Sequence, residues 1–224
     1  MRRSLQASLE LVRFTRGQIV AAPGTAVQHA YLPLTGLVAL LATGPDGETV
    51  QVGLVGSTGI VGTPVLLRET QWPYAALVVV PGEAYRLRVS ILLAASAQDA
   101  ILQRLLFRCA QQQLQAMAQA SVCHRFHSVQ ERLSGWLLAA ARAAGTDTVA
   151  VTQDLLAQLL GAPRTVVSRA ATVLEDRGLI RQQHGRVRIL QRGGLRAHAC
   201  SCGTPFHDPP SEQYADRPPR RSFG

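Results

Sequence analysis

The residues best suited to chemistry in this sequence lie near its C-terminal end, in the segment LGAPRTVVSRAATVLEDRGLI. At helical spacing, one face of this segment carries Arg164, Thr165, Ser168 and Arg169. A guanidinium can donate two parallel hydrogen bonds to a guanine edge, and a hydroxyl can bond to a base. The first turn contains no Asp or Glu, so the positive end of the helix dipole favours an anion there. The segment therefore predicts a helix over about residues 163–176 that contacts DNA bases.

Helix-capping residues predict where this helix and the helix before it begin and end. Thr152 is a good N-cap for a short apolar-periodic helix, and Gly161 ends that helix. Pro163 fits the first position of a second helix, where its missing N–H is tolerated, and Gly178 ends it. Two helices joined by a short turn, the second with a polar and cationic N-terminal half, predict a helix-turn-helix that enters the major groove.

The next segment, LIRQQHGRVRIL, alternates between apolar and polar residues around a His-Gly turn. This pattern predicts a two-stranded wing. Residues 152–196 contain eight arginines against three acidic residues, a local net charge of +5. Because cationic side chains and helix N-termini bind phosphate, a set of candidate phosphate-contacting residues follows. These candidates are Thr152, Gln153, Arg181, Arg186 and Arg188.

Composition agrees with a polyanionic partner. The formal net charge is +9, and all 23 basic residues are arginine. That bias is typical of a GC-rich genome, so the choice of arginine alone says nothing about base recognition. No segment approaches the 18 apolar residues of a membrane span, no signal-peptide core is visible, and four cysteines do not make a disulfide framework. The sequence predicts a cytoplasmic protein with no membrane association and no cofactor.

The N-terminal half has a different character. LVALLATGPDGETVQVGLV predicts strand, turn and strand, and YAALVVVPGEAYRLRV predicts another pair, so a β-sandwich or barrel is expected. A long helix free of glycine and proline follows, with one apolar stripe. The stripe must be buried either on the chain's own β domain or against a second copy, and we predict a homodimer. Its interface residues would be Leu102, Leu106, Ala110, Leu114 and Met117.

The segment TQDLLAQLLGAPRTVVSRAATVLEDRGLIRQQHGRVRIL resembles the DNA-binding domain of the Crp/Fnr superfamily of bacterial transcription regulators. Upstream, AYLPLTGLVALLATGPDGETVQVGLVGSTGIVGTPVLL is similar to that family's cyclic-nucleotide-binding-type β-roll. The resemblance implies an α+β fold, with a jelly-roll-like β-roll over 1–96, a dimerisation helix over 97–127 and a winged helix-turn-helix over 128–196. It also implies a homodimer on a near-palindromic operator, with RNA polymerase as a further partner.

The resemblance also carries residue roles. The family's base-contacting positions correspond to Arg164, Thr165 and Arg169 of this sequence. The cAMP-receptor branch has Glu where this chain has Thr165, and Glu accepts a hydrogen bond from cytosine. Threonine cannot replace that contact in the same way, so the operator sequence of that branch does not transfer.

The effector site departs further from the family pattern. Cyclic-nucleotide binders have Gly-Glu and then Arg-Ser/Thr-Ala, where Glu takes the ribose and Arg the cyclic phosphate. Here Gly62 is followed by Thr63, and the later segment WPYAAL, which contains Tyr74 and Ala75, has no Arg. Gly62, Thr63, Tyr74 and Ala75 are the candidate effector pocket, and we expect the effector not to be cAMP. The β-roll is either a sensor for another ligand or a structural platform for a DNA-bound dimer without an effector.

Two further possibilities concern metals and catalysis. His198, Cys200 and Cys202 are zinc-ligand types, but Cys-x-Cys spacing is tight for one tetrahedral site, so no metal is predicted there. A metal-dependent cupin-like enzyme would need clustered histidines in the β region, which offers only His29. The sequence therefore predicts no enzyme. From residue 197 the tail is expected to be disordered.

Overall fold

A computed structural model describes residues 2–200 and residue 202, with side chains from Leu5 onward. Of the tail that is predicted to be disordered from residue 197, residue 201 and the residues from 203 lie outside the described residues. Its first two residues are ordered instead, because the last helix of the structure runs from Arg192 to His198. In chain order the elements are α1 (Arg2–Ala7), β1 (Glu10–Phe14), β2 (Ile19–Ala21), β3 (His29–Pro33), β4 (Leu37–Thr43), β5 (Thr49–Val55), a 3₁₀ helix (Thr63–Leu67), β6 (Ala75–Val80), β7 (Gly82–Arg88), α2 (Val89–Gln98), α3 (Ala100–Phe126), α4 (Val129–Ala144), β8 (Thr148–Ala150), α5 (Gln153–Leu160), α6 (Arg164–Asp176), β9 (Ile180–Gln183), β10 (Arg186–Ile189) and α7 (Arg192–His198). This order confirms the α+β class.

The N-terminal region is a β-roll of two antiparallel sheets, with strand orders β1-β7-β3 and β2-β6-β4-β5. Strands β4 and β5 pair as a hairpin, as the sequence predicts. Strands β6 and β7 are the second predicted pair of strands, but they belong to different sheets and do not pair with each other. The chain changes sheet at Gly82, where a Cβ would lie 2.4 Å from the carbonyl oxygen of Thr35. Only glycine allows that approach.

Strand β4 is buried on both faces. Val38 and Leu40 point into the core between the two sheets. Leu37, Ala39 and Leu41 point the other way, into a second core that the C-terminal domain completes. A strand covered on both faces reads as a continuous apolar run rather than an alternating pattern, which explains LVALLA. The β-roll and the C-terminal domain therefore pack against each other through this sheet.

Polar caps define the long helix and the helix after it. The carboxylate of Asp99 accepts hydrogen bonds from the first backbone N–H groups of α3. Ser128 begins α4 with a capping box, in which its hydroxyl accepts from the N–H of Glu131 and its own N–H donates to the Glu131 carboxylate. The Ser128 hydroxyl also donates to this carboxylate, and together with the backbone N–H it lowers the pKa of Glu131. The connection between the long helix and the C-terminal domain is therefore fixed at residues 127 and 128.

The C-terminal domain is a winged helix-turn-helix, as predicted. Helices α4 and α6 pack on a small antiparallel sheet of order β8-β10-β9, while α5 packs on α6 and α7 packs on α4. Its core is continuous with the outer face of the β-roll and includes Leu133, Leu137, Leu156, Leu174 and Ile180.

Candidate nucleic-acid interface

Helix α6 begins and ends where the sequence predicts, to within one residue. Gly161 ends α5 in the left-handed conformation, at a φ of 55°. Pro163 is the N-cap rather than the first helical residue, and its extended ψ of 140° directs the chain into the helix. The inward face consists of the buried residues Val167, Ala170, Ala171 and Leu174. That face fixes which side of the helix is presented to solvent.

The outward face of α6 carries the four predicted base-contacting residues, Arg164, Thr165, Ser168 and Arg169, all of them exposed. The Nη1 of Arg164 lies 3.0 Å from a carboxylate oxygen of Asp154, and both side chains are about two-thirds exposed. An exposed ion pair contributes only about 0–1 kcal/mol, so Arg164 can exchange this carboxylate for a ligand at little cost. No acidic residue lies in the first turn. The face is therefore polar, cationic and accessible.

The wing concentrates positive charge on one side. In β10, Val187 and Ile189 are buried while Arg186 and Arg188 are exposed. In the antiparallel pairing with β9, Arg188 stands directly opposite Arg181, which is also exposed. Like charges directly opposite each other destabilise a sheet. A polyanion bound across these strands would relieve that repulsion.

Two predicted phosphate contacts have structural roles. The hydroxyl of Thr152 accepts from the N–H of Leu155 and caps α5, although the residue stays exposed. The amide of Gln153 donates to Gln182, whose own N–H groups donate to the carboxylate of Glu175. Gln153 therefore attaches α5 to the wing within the domain, and its contact with phosphate stays a prediction.

The predicted effector pocket is occupied by the protein's own side chains. The hydroxyl of Thr63 donates to the Oε1 of Gln113 at 2.8 Å, and the amide of Gln113 donates to the Tyr74 hydroxyl at 2.8 Å. Burial raises the pKa of Tyr74, which keeps its phenol neutral. Gln113 is not among the residues predicted for the pocket, because nothing in the glutamine run that contains it marks one glutamine as a partner of Thr63 and Tyr74.

The other two pocket candidates do not add polar groups. Gly62 packs against Ala30, where a Cβ would lie 2.9 Å from the Ala30 Cβ, and Ala75 is half-buried at the start of β6. A separate cavity of about 570 Å³ lies between the 3₁₀ helix, α2 and α3, and Arg68 and Gln103 are among its lining residues.

The predicted dimer stripe of α3 is mostly used within the chain. Leu106 and Ala110 are each only 6% exposed, and Leu102 and Met117 pack against the cores of the β-roll. The sequence shows that a helix has a buried face but not what covers it, and here the chain's own β-roll does. Of the five predicted interface residues, only Leu114 is exposed. The exposed large apolar residues of α3 are Ile101, Leu105, Phe107, Leu114, Val122 and Phe126.

A hydrogen-bond network attaches the C-terminal domain to the β-roll. Arg132 donates to His124 Nδ1 and to the carbonyl oxygen of Leu160 at the end of α5. Because a guanidinium only donates, His124 is protonated on Nε2, which donates to the Gln51 carbonyl at 3.1 Å. Burial is the main cause that lowers the pKa of His124 and keeps the ring neutral. The indole N–H of Trp136 donates to the Gln51 side chain, also at 3.1 Å.

The tail residues separate into two places. His198 bonds to Arg177 and to the carbonyl oxygen of Gly194, within its own domain. Cys200 and Cys202 lie instead beside the end of α3. The grouping of His198 with these cysteines is therefore wrong.

Comparison with solved structures finds the same fold. FixK2 from Bradyrhizobium japonicum is 17% identical to this chain. The match covers 86% of this chain and 98% of the FixK2 chain, with a TM-score of 0.71. A putative regulator of the Crp/Fnr family from Eubacterium rectale is 14% identical, with coverages of 88% and 92% and a TM-score of 0.73. A CRP/FNR-family regulator from Thermus thermophilus is 24% identical, with coverages of 87% and 100% and a TM-score of 0.69. No match was found among curated protein sequences.

None of the helices among the described residues is long and apolar enough to cross a bilayer.

Comparison with protein families identifies both halves of the chain. A model described as a cyclic nucleotide-binding domain matches residues 11–99, and a model described as a Crp-like helix-turn-helix domain matches residues 131–198. Together the two models match more than two-thirds of the sequence, in the order that the fold requires. The chain belongs to the Crp/Fnr family of DNA-binding transcription regulators.

Proposed function

We propose that the protein regulates transcription as a homodimer that inserts α6 into the major groove of a specific operator. The observation that carries this proposal is the exposed Arg and hydroxyl face of α6 beside a wing whose exposed arginines oppose each other. We assign base contacts to Arg164, Thr165, Ser168 and Arg169. We assign phosphate contacts to Thr152 at the N-terminus of α5 and, in the wing, to Arg181, Arg186 and Arg188.

The two classes of contact differ in what they do. A bidentate arginine–guanine contact discriminates against the wrong base by about 1–3 kcal/mol, whereas a phosphate contact strengthens binding to all sequences. Arg169 lies in the second turn of α6, where a recognition helix meets base edges, and Arg186 lies at the tip of the wing. Arg164 exchanges its weak pairing with Asp154 for DNA.

The experiment compares Arg169→Ala with Arg186→Ala on the operator found by genome-wide mapping of binding sites and on random DNA. Arg169→Ala should lose about 1–3 kcal/mol on the operator and relax the preference at one base pair in each half-site. Arg186→Ala should weaken both DNAs equally and flatten the salt dependence. If the two variants behave alike on both DNAs, the assignment of α6 as the recognition helix is wrong. Transcription in vitro with RNA polymerase then shows whether the bound dimer activates or represses.

We infer that dimerisation uses the exposed apolar residues of α3 rather than the stripe that faces the β-roll. At 1.5 Å per residue, this 27-residue helix is about 40 Å long, which is enough for an extended contact between two copies. Leu114 and Val122 are 56% and 43% exposed, so replacing both with Arg leaves the core intact. We expect this double variant to be monomeric by light scattering. A monomeric wild-type protein that binds DNA tightly would exclude the dimer.

We propose that cAMP does not switch the protein. Thr63 stands where the ribose-binding Glu is expected, and Gln113 already satisfies the hydroxyls of Thr63 and Tyr74. Burial of a cyclic phosphate without a cationic partner costs several kcal/mol, so affinity should fall at least about a hundredfold below that of a site with both partners. Calorimetry with cAMP and cGMP tests this, and a micromolar dissociation constant would contradict it.

The β-roll has two possible roles, a structural platform without an effector and a sensor of a small molecule other than cAMP. The occupied pocket favours a DNA-bound dimer without an effector at this position. The cavity near Arg68 favours a sensor of another small molecule. Arg68→Ala separates the two: the variant should bind the operator as the wild type does if the β-roll is only a platform.

A further inference from the structure

Four potential metal ligands meet where the long helix ends. Cys123 is in the last turn of α3, and His127 caps that helix one turn later. Cys200 and Cys202 come directly after α7, at the end of the DNA-binding domain. One ligand atom from each of the four residues lies within 4.8 Å of all the others. Two segments more than 70 residues apart in the sequence thus bring three thiols and an imidazole together.

We propose that these four side chains bind one Zn²⁺ ion in a tetrahedral Cys₃His site. With Zn–S bonds of about 2.3 Å and a Zn–N bond of about 2.0–2.1 Å, a sulfur and a nitrogen ligand of a tetrahedron lie about 3.6 Å apart. The Sγ of Cys202 and the Nδ1 of His127 are 3.6 Å apart. Cys123 is buried and the other three residues are half-buried, so the ligands surround an enclosed position. Four protein ligands and no open position are typical of a structural zinc site.

The surroundings of the four residues support bound thiolates. The amide of Gln119 donates to Cys202 Sγ at 3.0 Å and lies 3.9 Å from Cys123 Sγ. Such donors to ligand atoms orient and stabilise metal ligands. A Zn²⁺ ion with three thiolates has a net charge of −1, and the half-buried guanidinium of Arg132 is close enough to Cys123 and Cys200 to interact with their charge. The site therefore has a compensating cation.

The geometry favours one ion over the alternatives. In an iron–sulfur cluster the ligands bind different iron atoms, so their sulfurs spread around the cluster instead of meeting at one point. A disulfide would use two of the three thiols and leave the third thiol and His127 without a role. The tight Cys-x-Cys spacing is not an obstacle, because the Sγ atoms of Cys200 and Cys202 both lie within 4.8 Å of each other and of the ligand atoms of Cys123 and His127.

Zinc at this position would attach the end of the long helix to the end of the DNA-binding domain. One attachment point includes His127, where one domain passes into the other, and the second follows α7 at the end of the DNA-binding domain. Because the ion binds the folded arrangement more tightly than the unfolded chain, the difference in binding free energy stabilises this relative orientation.

The test measures zinc in the full-length chain without an affinity tag. The protein is expressed with added zinc and purified with a reductant and without chelators, and metal is measured by mass spectrometry. We expect one zinc ion per chain and, by competition with a chelator, a dissociation constant below about 50 nM. Cys123→Ser and Cys202→Ser should each weaken binding by at least about 100-fold, more than the loss typical of a residue that only orients a ligand. Cys109→Ser, on the same helix but outside the site, should bind zinc as the wild type does.

Cobalt provides a measurement that does not depend on the variants. Co²⁺ added to the metal-free wild type should give the intense visible bands of tetrahedral coordination together with a thiolate charge-transfer band, and added Zn²⁺ should remove both. Substoichiometric zinc after reconstitution, octahedral cobalt bands, or a Cys123 disulfide under reducing conditions would each overturn the proposal. Equal zinc loss in Cys109→Ser would do the same. None of these measurements uses DNA, so their outcome is independent of the proposed function.

Discussion

The wing predicts opposite effects of one substitution on stability and on DNA binding. Arg188 faces Arg181 across the strand pair, and both side chains are exposed. Directly opposed like charges cost a fraction of a kcal/mol, so Arg188→Gln should stabilise the DNA-free protein by about 0.2–1 kcal/mol. The gain should shrink with added salt, because exposed charges are screened over about 10 Å at 0.1 M ionic strength.

The same substitution should weaken DNA binding. Each lost phosphate contact lowers the slope of log K against log salt by about 0.9, so a dimer that loses two contacts should change by about 1.8. Urea denaturation at low and high salt gives the stability, and fluorescence anisotropy between 50 and 200 mM salt, a range where such contacts dominate, gives the slope. Arg16→Gln, an exposed arginine on the β-roll, is the matched control and should change neither quantity. An Arg188→Gln protein that is less stable, or that has an unchanged slope, would refute this account of the wing.

Two further predictions concern the joint between the domains. Gln51→Leu should leave the buried indole N–H of Trp136 without an acceptor and lower the free energy of unfolding, measured by urea denaturation, by about 1–3 kcal/mol. Adding Trp136→Phe should recover part of that loss, because no buried donor then lacks an acceptor. Losses that simply add in the double variant would contradict the pairing. Ser128→Ala should remove the cap of α4 and lower the free energy of unfolding by about 1 kcal/mol, measured by thermal unfolding. Ser121→Ala inside α3 is the control and should lower it by less. Equal losses would show that the cap does not stabilise the protein more than an ordinary helical serine.

Local signals located the helix-turn-helix accurately. Gly161, Pro163 and Gly178 act on the chain within a few residues, so the limits of α6 followed from the sequence to within one residue. The exposed face of α6 also followed, because a period of 3.6 separates inward from outward positions regardless of the rest of the fold.

Contacts between distant segments were beyond such reasoning. The stripe from Leu102 to Met117 showed that α3 has a buried side, but its partner is set by how the β-roll closes against it. In the sequence Gln113 cannot be distinguished from the neighbouring glutamines, and only the folded structure shows that it bonds to Thr63 and Tyr74. Cys123 joins Cys200 only through the docking of one domain on the other, which no spacing along the chain encodes.

Strand β4 contributes to the cores of both domains, so neither domain keeps a complete core without the other. One of its faces completes the interior of the β-roll and the other completes the core that contains Leu133 and Leu137. A fragment that starts at residue 128 would expose that second core to water and should self-associate, even though residue 128 is a natural helix start. During synthesis the outer face of β4 stays uncovered until α4 and the helices after it are made, so chains truncated before residue 129 should be recognised by proteases and chaperones as incompletely folded. The two functional halves are thus a single unit for folding.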